Sequence, residues 1–146
     1  MSRRDDWRGR LAAWAERNRA APFAWGRFDC ARLAVEAVDA VTGGDAFAAL
    51  GIEPAWRSEK AALKAMKKAG FARVSDAAAA LFAEIPPAFA QIGDLAAIPA
   101  ATPFGDALGV VIGERILVST PAGLDTVDLL QASRAFRVDG PPETRR

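Results

Sequence analysis

The sequence contains no histidine and no tyrosine, and it has a single cysteine, Cys30. A lone cysteine excludes an internal disulfide. The absence of histidine excludes a zinc site built from cysteine and histidine ligands, and it excludes any hydrolase mechanism in which a histidine moves the protons. Carboxylates alone could still bind a metal ion, but no clustered spacing of acidic residues indicates such a site. We therefore expect no metal and no cofactor.

Net charge and long apolar runs are also scarce. The 19 basic and 18 acidic residues give a formal charge of +1, so no overall field predicts binding to nucleic acid or to an anionic membrane. No run reaches the roughly 20 apolar residues that a membrane-spanning helix needs. The charged N-terminal stretch does not resemble a secretory signal peptide. We expect a protein that is made in the cytoplasm and has no membrane span.

The length and hydrophobic content fit one compact domain. A chain of 146 residues with 51% hydrophobic residues can bury one core and is too short for two comfortable ones. The last seven residues lack apolar side chains that could anchor them. The sequence thus predicts a single domain over residues 1–139 and a flexible tail over residues 140–146.

Helical periodicity dominates the first part of the chain, and short β-rich runs follow it. The strongest helix begins after Asp29, a good N-cap, and stops at Gly43. Such an order predicts an α+β fold in which N-terminal helices pack on one side of a small C-terminal antiparallel sheet or half-barrel. The predicted helices span residues 5–19, 30–41, 58–69 and 75–85, and the predicted strands span residues 94–98, 108–112, 115–119, 124–127 and 135–138.

Cys30 lies at the first turn of the strongest helix, behind an aromatic and glycine-containing loop. The helix N-terminus and the nearby Arg27 favour the thiolate and would lower the pKa of the cysteine, although Asp29 acts in the opposite direction. A simpler interpretation is that Cys30 is a small buried hydrophobic residue on the core face of its helix. Both interpretations remain open at this stage.

Three segments resemble those of a known peptidase family. Residues 25–30, Trp-Gly-Arg-Phe-Asp-Cys, resemble the entrance to the nucleophile helix of the NlpC-type cysteine peptidases, which are papain-like and cleave peptidoglycan stem peptides. Residues 92–95, Ile-Gly-Asp-Leu, resemble the start of the family's first sheet strand, and residues 107–113 resemble its His-Val-Gly strand. The resemblance covers residues 22–138 and implies a papain-like fold. It is closest to a branch of small proteins encoded among tail genes of phages, prophages and gene transfer particles.

The resemblance assigns roles to three positions, and the residue at one of them cannot perform its role. Cys30 matches the nucleophile. Ala107 occupies the position of the general base, and its methyl group cannot exchange a proton. Ser119 occupies the position of the residue that orients that base. Loss of the base is expected to cost on the order of a hundredfold to ten-thousandfold in rate.

These observations predict a catalytically degenerate, structural or assembly component of a phage-type tail tip or hub, located in the virion tail and made in the bacterial cytoplasm. Its predicted partners are tail hub or tip proteins, contacted through the first helix or the C-terminal tail. One alternative is an active cysteine hydrolase that cleaves peptidoglycan peptides with an unusual base. A second is a cytosolic peptide-binding module. Acidic neighbours could pair with the arginines near the N-terminus, Arg3, Arg4, Arg8 and Arg10.

The other charged and aromatic features have ordinary structural interpretations. We interpret the lysine stripe of the third predicted helix as a solvated face and not as a nucleic-acid site. Trp7, Trp14 and Trp25 are expected to pack in the core or in an interface. Asp94 and Asp106 lie near predicted strand starts and could pair with arginines.

Overall fold

The computed structural model of the protein describes residues 1–140 and shows an α+β fold in which all helices precede the strands. Gly140 is the last described residue, so the predicted flexible tail lies, apart from Gly140, outside the described residues. The helices are α1 (Trp7–Asn18), α2 (Cys30–Thr42), α3 (Ala46–Leu50), α4 (Glu59–Lys68) and α5 (Val74–Leu81).

The strands form one six-stranded sheet in which every recorded pair is antiparallel. Their order across the sheet is β1-β6-β2-β3-β4-β5. Two short 3₁₀ turns, Pro87–Phe89 and Leu129–Gln131, connect strands. The strands are β1 (Glu84–Ile85), β2 (Leu95–Pro99), β3 (Asp106–Val111), β4 (Arg115–Thr120), β5 (Gly123–Asp128) and β6 (Arg134–Phe136).

Helix α2 is the central helix of the fold, and it contacts both α1 and β3. Its N-cap is as predicted, because the Asp29 carboxylate accepts a hydrogen bond from the backbone N–H of Arg32 at 2.9 Å. The apolar face of α2 is buried in the main core, which also includes Trp14, Phe82 and Phe136. Helix α2 thereby places its first residue, Cys30, beside β3 and β4.

Close packing of β3 against β4 depends on Gly109. A Cβ atom at this position would lie 2.7 Å from the carbonyl oxygen of Leu117, which is closer than real Cβ atoms approach. Glycine is therefore required for the approach of the two strands, as is common where backbones meet closely. The strands predicted over residues 108–112 and 115–119 correspond to β3 and β4, which form an antiparallel hairpin with Val110 opposite Leu117.

The fourth predicted helix starts and ends earlier than expected. Helix α5 begins at Val74, where the Asp76 carboxylate accepts a hydrogen bond from the backbone N–H of the N-cap residue, Arg73. Ser75 is fully buried and does not act as the N-cap. The helix stops at Leu81, well before Pro86, and the chain then enters the short strand β1.

The N-terminal segment is fixed to the C-terminal end of the domain by Arg3. Its guanidinium donates to the buried carboxylate of Asp94 at 2.8 Å and to the backbone oxygens of Val138 and Ile92, each at 2.9 Å. The predicted pairing of Asp94 with an arginine is thus present. The prediction that Arg3 belongs to a surface for acidic partners is therefore wrong, because its guanidinium makes its hydrogen bonds within the chain. Arg10 also donates internally, to the Ala40 carbonyl at 2.6 Å.

Candidate functional site

A tight loop ahead of α2 is organised by the buried carboxylate of Asp29. Besides capping α2, this carboxylate accepts hydrogen bonds from the backbone N–H of Gly26 at 3.1 Å and from the indole N–H of Trp56 at 2.8 Å. Gly26 has a φ of 81° and lies so close to the Trp56 carbonyl that no side chain would fit. Asp29 and Gly26 therefore determine where Cys30 begins its helix.

The structure brings Cys30, Ala107 and Ser119 together around one pocket of about 140 Å³. Cys30 comes from the start of α2, Ala107 from β3 and Ser119 from β4. These three positions are far apart in the sequence, and only the resemblance indicated that they share a site. None of the three side chains can accept a proton as a general base near neutral pH.

Aromatic side chains form one wall of this pocket. The rings of Trp25 and Phe104 are stacked, with centroids 5.8 Å apart and an angle of 24° between their planes. Phe23 contacts Trp25 edge-on at 5.0 Å. Trp25 is half-buried: it packs against the main core, as the sequence predicted, and it also lines the pocket. The contribution of Phe104 was missed, because nothing in its local sequence connects it to the loop around Trp25.

The environment of Cys30 raises the pKa of its thiol to about 11. Desolvation by burial is the main cause, and the charge of Asp29 adds to it, while a backbone hydrogen bond from Leu108 acts weakly in the opposite direction. Of the two interpretations left open by the sequence, the burial supports the one in which Cys30 is a small buried hydrophobic residue. Arg27 is exposed and does not offset the burial of the thiol.

Ser119 uses its hydroxyl to hold the loop and not to orient a base. Its Oγ donates to the carbonyl of Phe28 at 3.2 Å. One residue further along β4, the carbonyl of Thr120 accepts a hydrogen bond from the Phe23 backbone N–H at 2.8 Å. The loop before Cys30 is thus attached to β4 at two points.

Two carboxylates, Glu59 and Asp106, also line the pocket. Both oxygens of Asp106 accept hydrogen bonds from buried Ser75, one from its backbone N–H at 3.2 Å and one from its hydroxyl. The predicted direct pairing of Asp106 with an arginine is wrong. Arg134 does not contact Asp106 itself but donates to the Ser75 hydroxyl beside it, at 2.8 Å. Asp106 is therefore part of a buried polar network that ties α5 to β3.

Arg134 extends this network to the surface, where it contacts Asp76 at 3.0 Å and Glu84 at 2.8 Å. Desolvation acts to raise the pKa of Asp76, but the hydrogen bonds from Arg134 and from the Arg73 backbone outweigh it and hold that pKa below its usual value. The hydrogen bond to Glu84 is the main cause that raises the pKa of Arg134. These groups stabilise the edge of the sheet and do not enter the pocket.

Two further structural findings limit the chemistry of the described part of the chain. Within residues 1–140, no three acidic or cysteine side chains are grouped so that they could hold a metal ion. No helix in the same range is long and apolar enough to cross a membrane.

Comparison with known proteins identifies the family of the chain. A search of curated proteins finds no similar sequence. A family model described as a domain of unknown function, DUF6950, matches residues 2–138. Because this match spans nearly the whole sequence, the chain belongs to the DUF6950 family.

Proposed function

We propose that this chain is a catalytically degenerate, papain-like domain of the NlpC type that serves as a structural or assembly component of a phage-type tail tip or hub. The observation that carries the proposal is the pocket in which Cys30, Ala107 and Ser119 meet. Nucleophile, base and orienter would face one another in such a pocket, and here the position of the base holds a methyl group.

The arrangement of elements around the pocket supports the papain-like part of the proposal. A cysteine at the start of a helix packs against an antiparallel sheet, and the two remaining positions lie on the adjacent strands β3 and β4. The resemblance of the three sequence segments implies the same relation. Tail hub or tip proteins are the proposed partners, and the virion tail is the proposed location.

The state of the thiol supports the loss of catalysis. Acyl transfer to sulfur requires the thiolate, followed by protonation of the leaving amine. With a pKa of about 11, Cys30 is almost entirely protonated near neutral pH. An ordinary carboxylic acid, with a pKa of about 4, is roughly ten-million-fold stronger than this thiol, so a carboxylate would be a very weak base towards it.

A second candidate is an active cysteine hydrolase that cleaves peptidoglycan peptides. The observation that favours it is the presence of Glu59 and Asp106 in the wall of the same pocket as Cys30. Asp106 is already bound by Ser75, which leaves the half-buried Glu59 as the freer carboxylate. The aromatic wall would also suit a module that binds a peptide without cleaving it.

Hydrolysis of defined stem peptides by the purified protein separates these candidates. For a degenerate domain, we expect turnover at the level of the buffer blank and no difference between the wild type and Cys30→Ala. The matched variant Glu59→Gln tests the remaining carboxylate. Turnover that disappears in Cys30→Ala would contradict the proposal and would favour the hydrolase.

The assembly role needs a test of its own. Mass spectrometry of purified tail-containing particles from the source bacterium should detect the protein at a fixed ratio to the tail proteins. Hydrogen exchange on the free and the assembled protein should then show protection of a contiguous surface. Absence from the particles, together with no binding to purified tail proteins, would refute the structural role.

A further inference from the structure

Every lysine of the chain lies in a single helix, α4. Its ten residues contain all four lysines of the sequence, Lys60, Lys64, Lys67 and Lys68. All four are exposed, and none forms an ion pair with an acidic side chain within residues 1–140. In contrast, several arginines are paired internally, such as Arg3 with Asp94 and Arg134 with Glu84. The described fold therefore gives these lysines no acidic partner, and Lys67 and Lys68 lie in the last turn of α4, where positive charge is favourable.

The lysine helix borders an open groove of about 480 Å³, which is larger than the pocket at Cys30 and shares no lining residue with it. Helix α4 forms one side of the groove, and the segment over residues 51–56 forms the other. The lining is mostly apolar and shallow, with Ile52, Ala61, Ala65 and Ala69 among its residues. Two lysines, Lys64 and Lys68, stand on the α4 side.

We propose that this groove, the α4 groove, binds an acidic segment of a partner protein. Carboxylates of the segment would pair with Lys64 and Lys68, and a small apolar side chain between them would rest on the alanines of α4. The inference concerns a different surface from the Cys30 pocket. It does not depend on the proposed tail function.

Charge complementarity is the main physical argument for this occupant. Lys60, Lys64 and Lys68 follow one another at i, i+4 spacing, and like charges at this spacing destabilise an isolated helix. Carboxylates bound alongside would remove that repulsion. They would also lose only part of their hydration, because the groove is open and the ion pairs would form at its rim.

The same observations favour a protein segment over nucleic acid. Binding of single strands usually combines a basic groove with aromatic rings on which bases stack, and the aromatic residue of this groove, Trp56, is buried and hydrogen-bonded to Asp29. Glu53 in the opposite wall would repel any anion, so the carboxylates of a bound segment would lie on the α4 side of the groove, next to Lys64 and Lys68. The chain as a whole carries a formal charge of only +1, which gives little attraction to a polyanion away from α4.

Fluorescence anisotropy with synthetic peptides tests the proposal on the full-length protein. The probe is a labelled peptide of alternating glutamate and alanine, and the same peptide with glutamine in place of glutamate is the neutral control. We expect saturable binding of the acidic peptide that weakens with added salt, and no binding of the neutral one.

Two double variants with the same change in charge locate the site. Lys64→Glu with Lys68→Glu alters the groove, whereas Lys60→Glu with Lys67→Glu alters lysines of the same helix that do not line it. The groove pair should weaken binding about tenfold or more and the matched pair clearly less. Ala61→Trp keeps every lysine but fills the groove, and it should also weaken binding. Circular dichroism confirms that each variant is folded, which we expect because all five positions are exposed.

Three outcomes would overturn the proposal. The first is the absence of measurable binding of the acidic peptide to the wild type. The second is an equal loss in the two double variants, which would show diffuse attraction without a site. The third is tighter binding of a single-stranded oligonucleotide of equal charge with the same dependence on Lys64 and Lys68, which would identify nucleic acid as the better ligand.

Discussion

The reactivity of Cys30 towards an alkylating reagent gives a quantitative test of the pocket. Burial raises the pKa of the Cys30 thiol from an ordinary value of 9.0 to about 11. At pH 8 the thiolate fraction is then about one in a thousand for Cys30 and about one in ten for the free thiol. Since only the thiolate reacts, iodoacetamide should modify the folded protein roughly a hundredfold more slowly than the unfolded protein.

The pH dependence of this rate separates a raised pKa from simple shielding. Cys30 is the only cysteine, so mass spectrometry of the intact protein measures its alkylation directly. A raised pKa predicts a rate that is still rising between pH 9 and pH 11, whereas shielding predicts a low plateau above pH 9. Protein in denaturant supplies the reference curve. Circular dichroism of the sample without denaturant checks that the fold persists across the pH range. An inflection at or below pH 9 in the folded protein would refute the reasoning about burial and Asp29.

Three further predictions concern the pocket and its supports. Ala107→His should lower the thiol pKa, as seen in a shifted alkylation profile, but should restore little stem-peptide hydrolysis, because catalytic groups act as a unit and the orienting hydroxyl is bound elsewhere. Arg134 helps to lower the pKa of Asp76 in the folded protein. The Asp76 carboxylate therefore stabilises the fold at pH values above the unfolded pKa near 4, and this contribution is lost as pH falls through the folded pKa. Urea unfolding should therefore show Asp76→Asn to be less stable than the wild type at pH 7, with a difference that shrinks towards pH 3. Trp56→Phe leaves buried Asp29 without one donor and should lower the free energy of unfolding by about 1–3 kcal/mol in the same assay.

Helix α2 could be predicted because every signal for it is local. Asp29 supplies the cap, the apolar residues follow one face, and glycine ends the helix. Helix α3 has only five residues and β1 only two, so neither carries a measurable periodicity. The β1 strand exists because it pairs with β6, with Glu84 opposite Phe136, and no local pattern encodes such a distant partner.

The candidate site was predictable in its positions but not in its environment. The resemblance to a known family suggested Cys30, Ala107 and Ser119, and the fold places these three positions around one pocket. The sequence left the state of the thiol open, because the helix N-terminus can be read from the sequence whereas burial depends on which strand covers the sulfur. Partnerships such as that of Asp106 with Ser75 depend in the same way on tertiary packing.

Most polar groups beside Cys30 form hydrogen bonds that stabilise the fold, and this limits the chemistry that the pocket can perform. Asp29 accepts hydrogen bonds from the loop, from α2 and from Trp56, and the same negative charge disfavours the thiolate next to it. Ser119 holds the loop through the Phe28 carbonyl. Catalysis requires polar groups positioned to stabilise the charge that develops in the transition state, whereas the polar atoms of Asp29 and Ser119 are directed at the scaffold. A pocket with an aromatic wall, in which Asp106 and Ser119 already have partners, can bind a ligand by shape and apolar contact. These features support our proposal that the chain acts through its surfaces and not through turnover at Cys30.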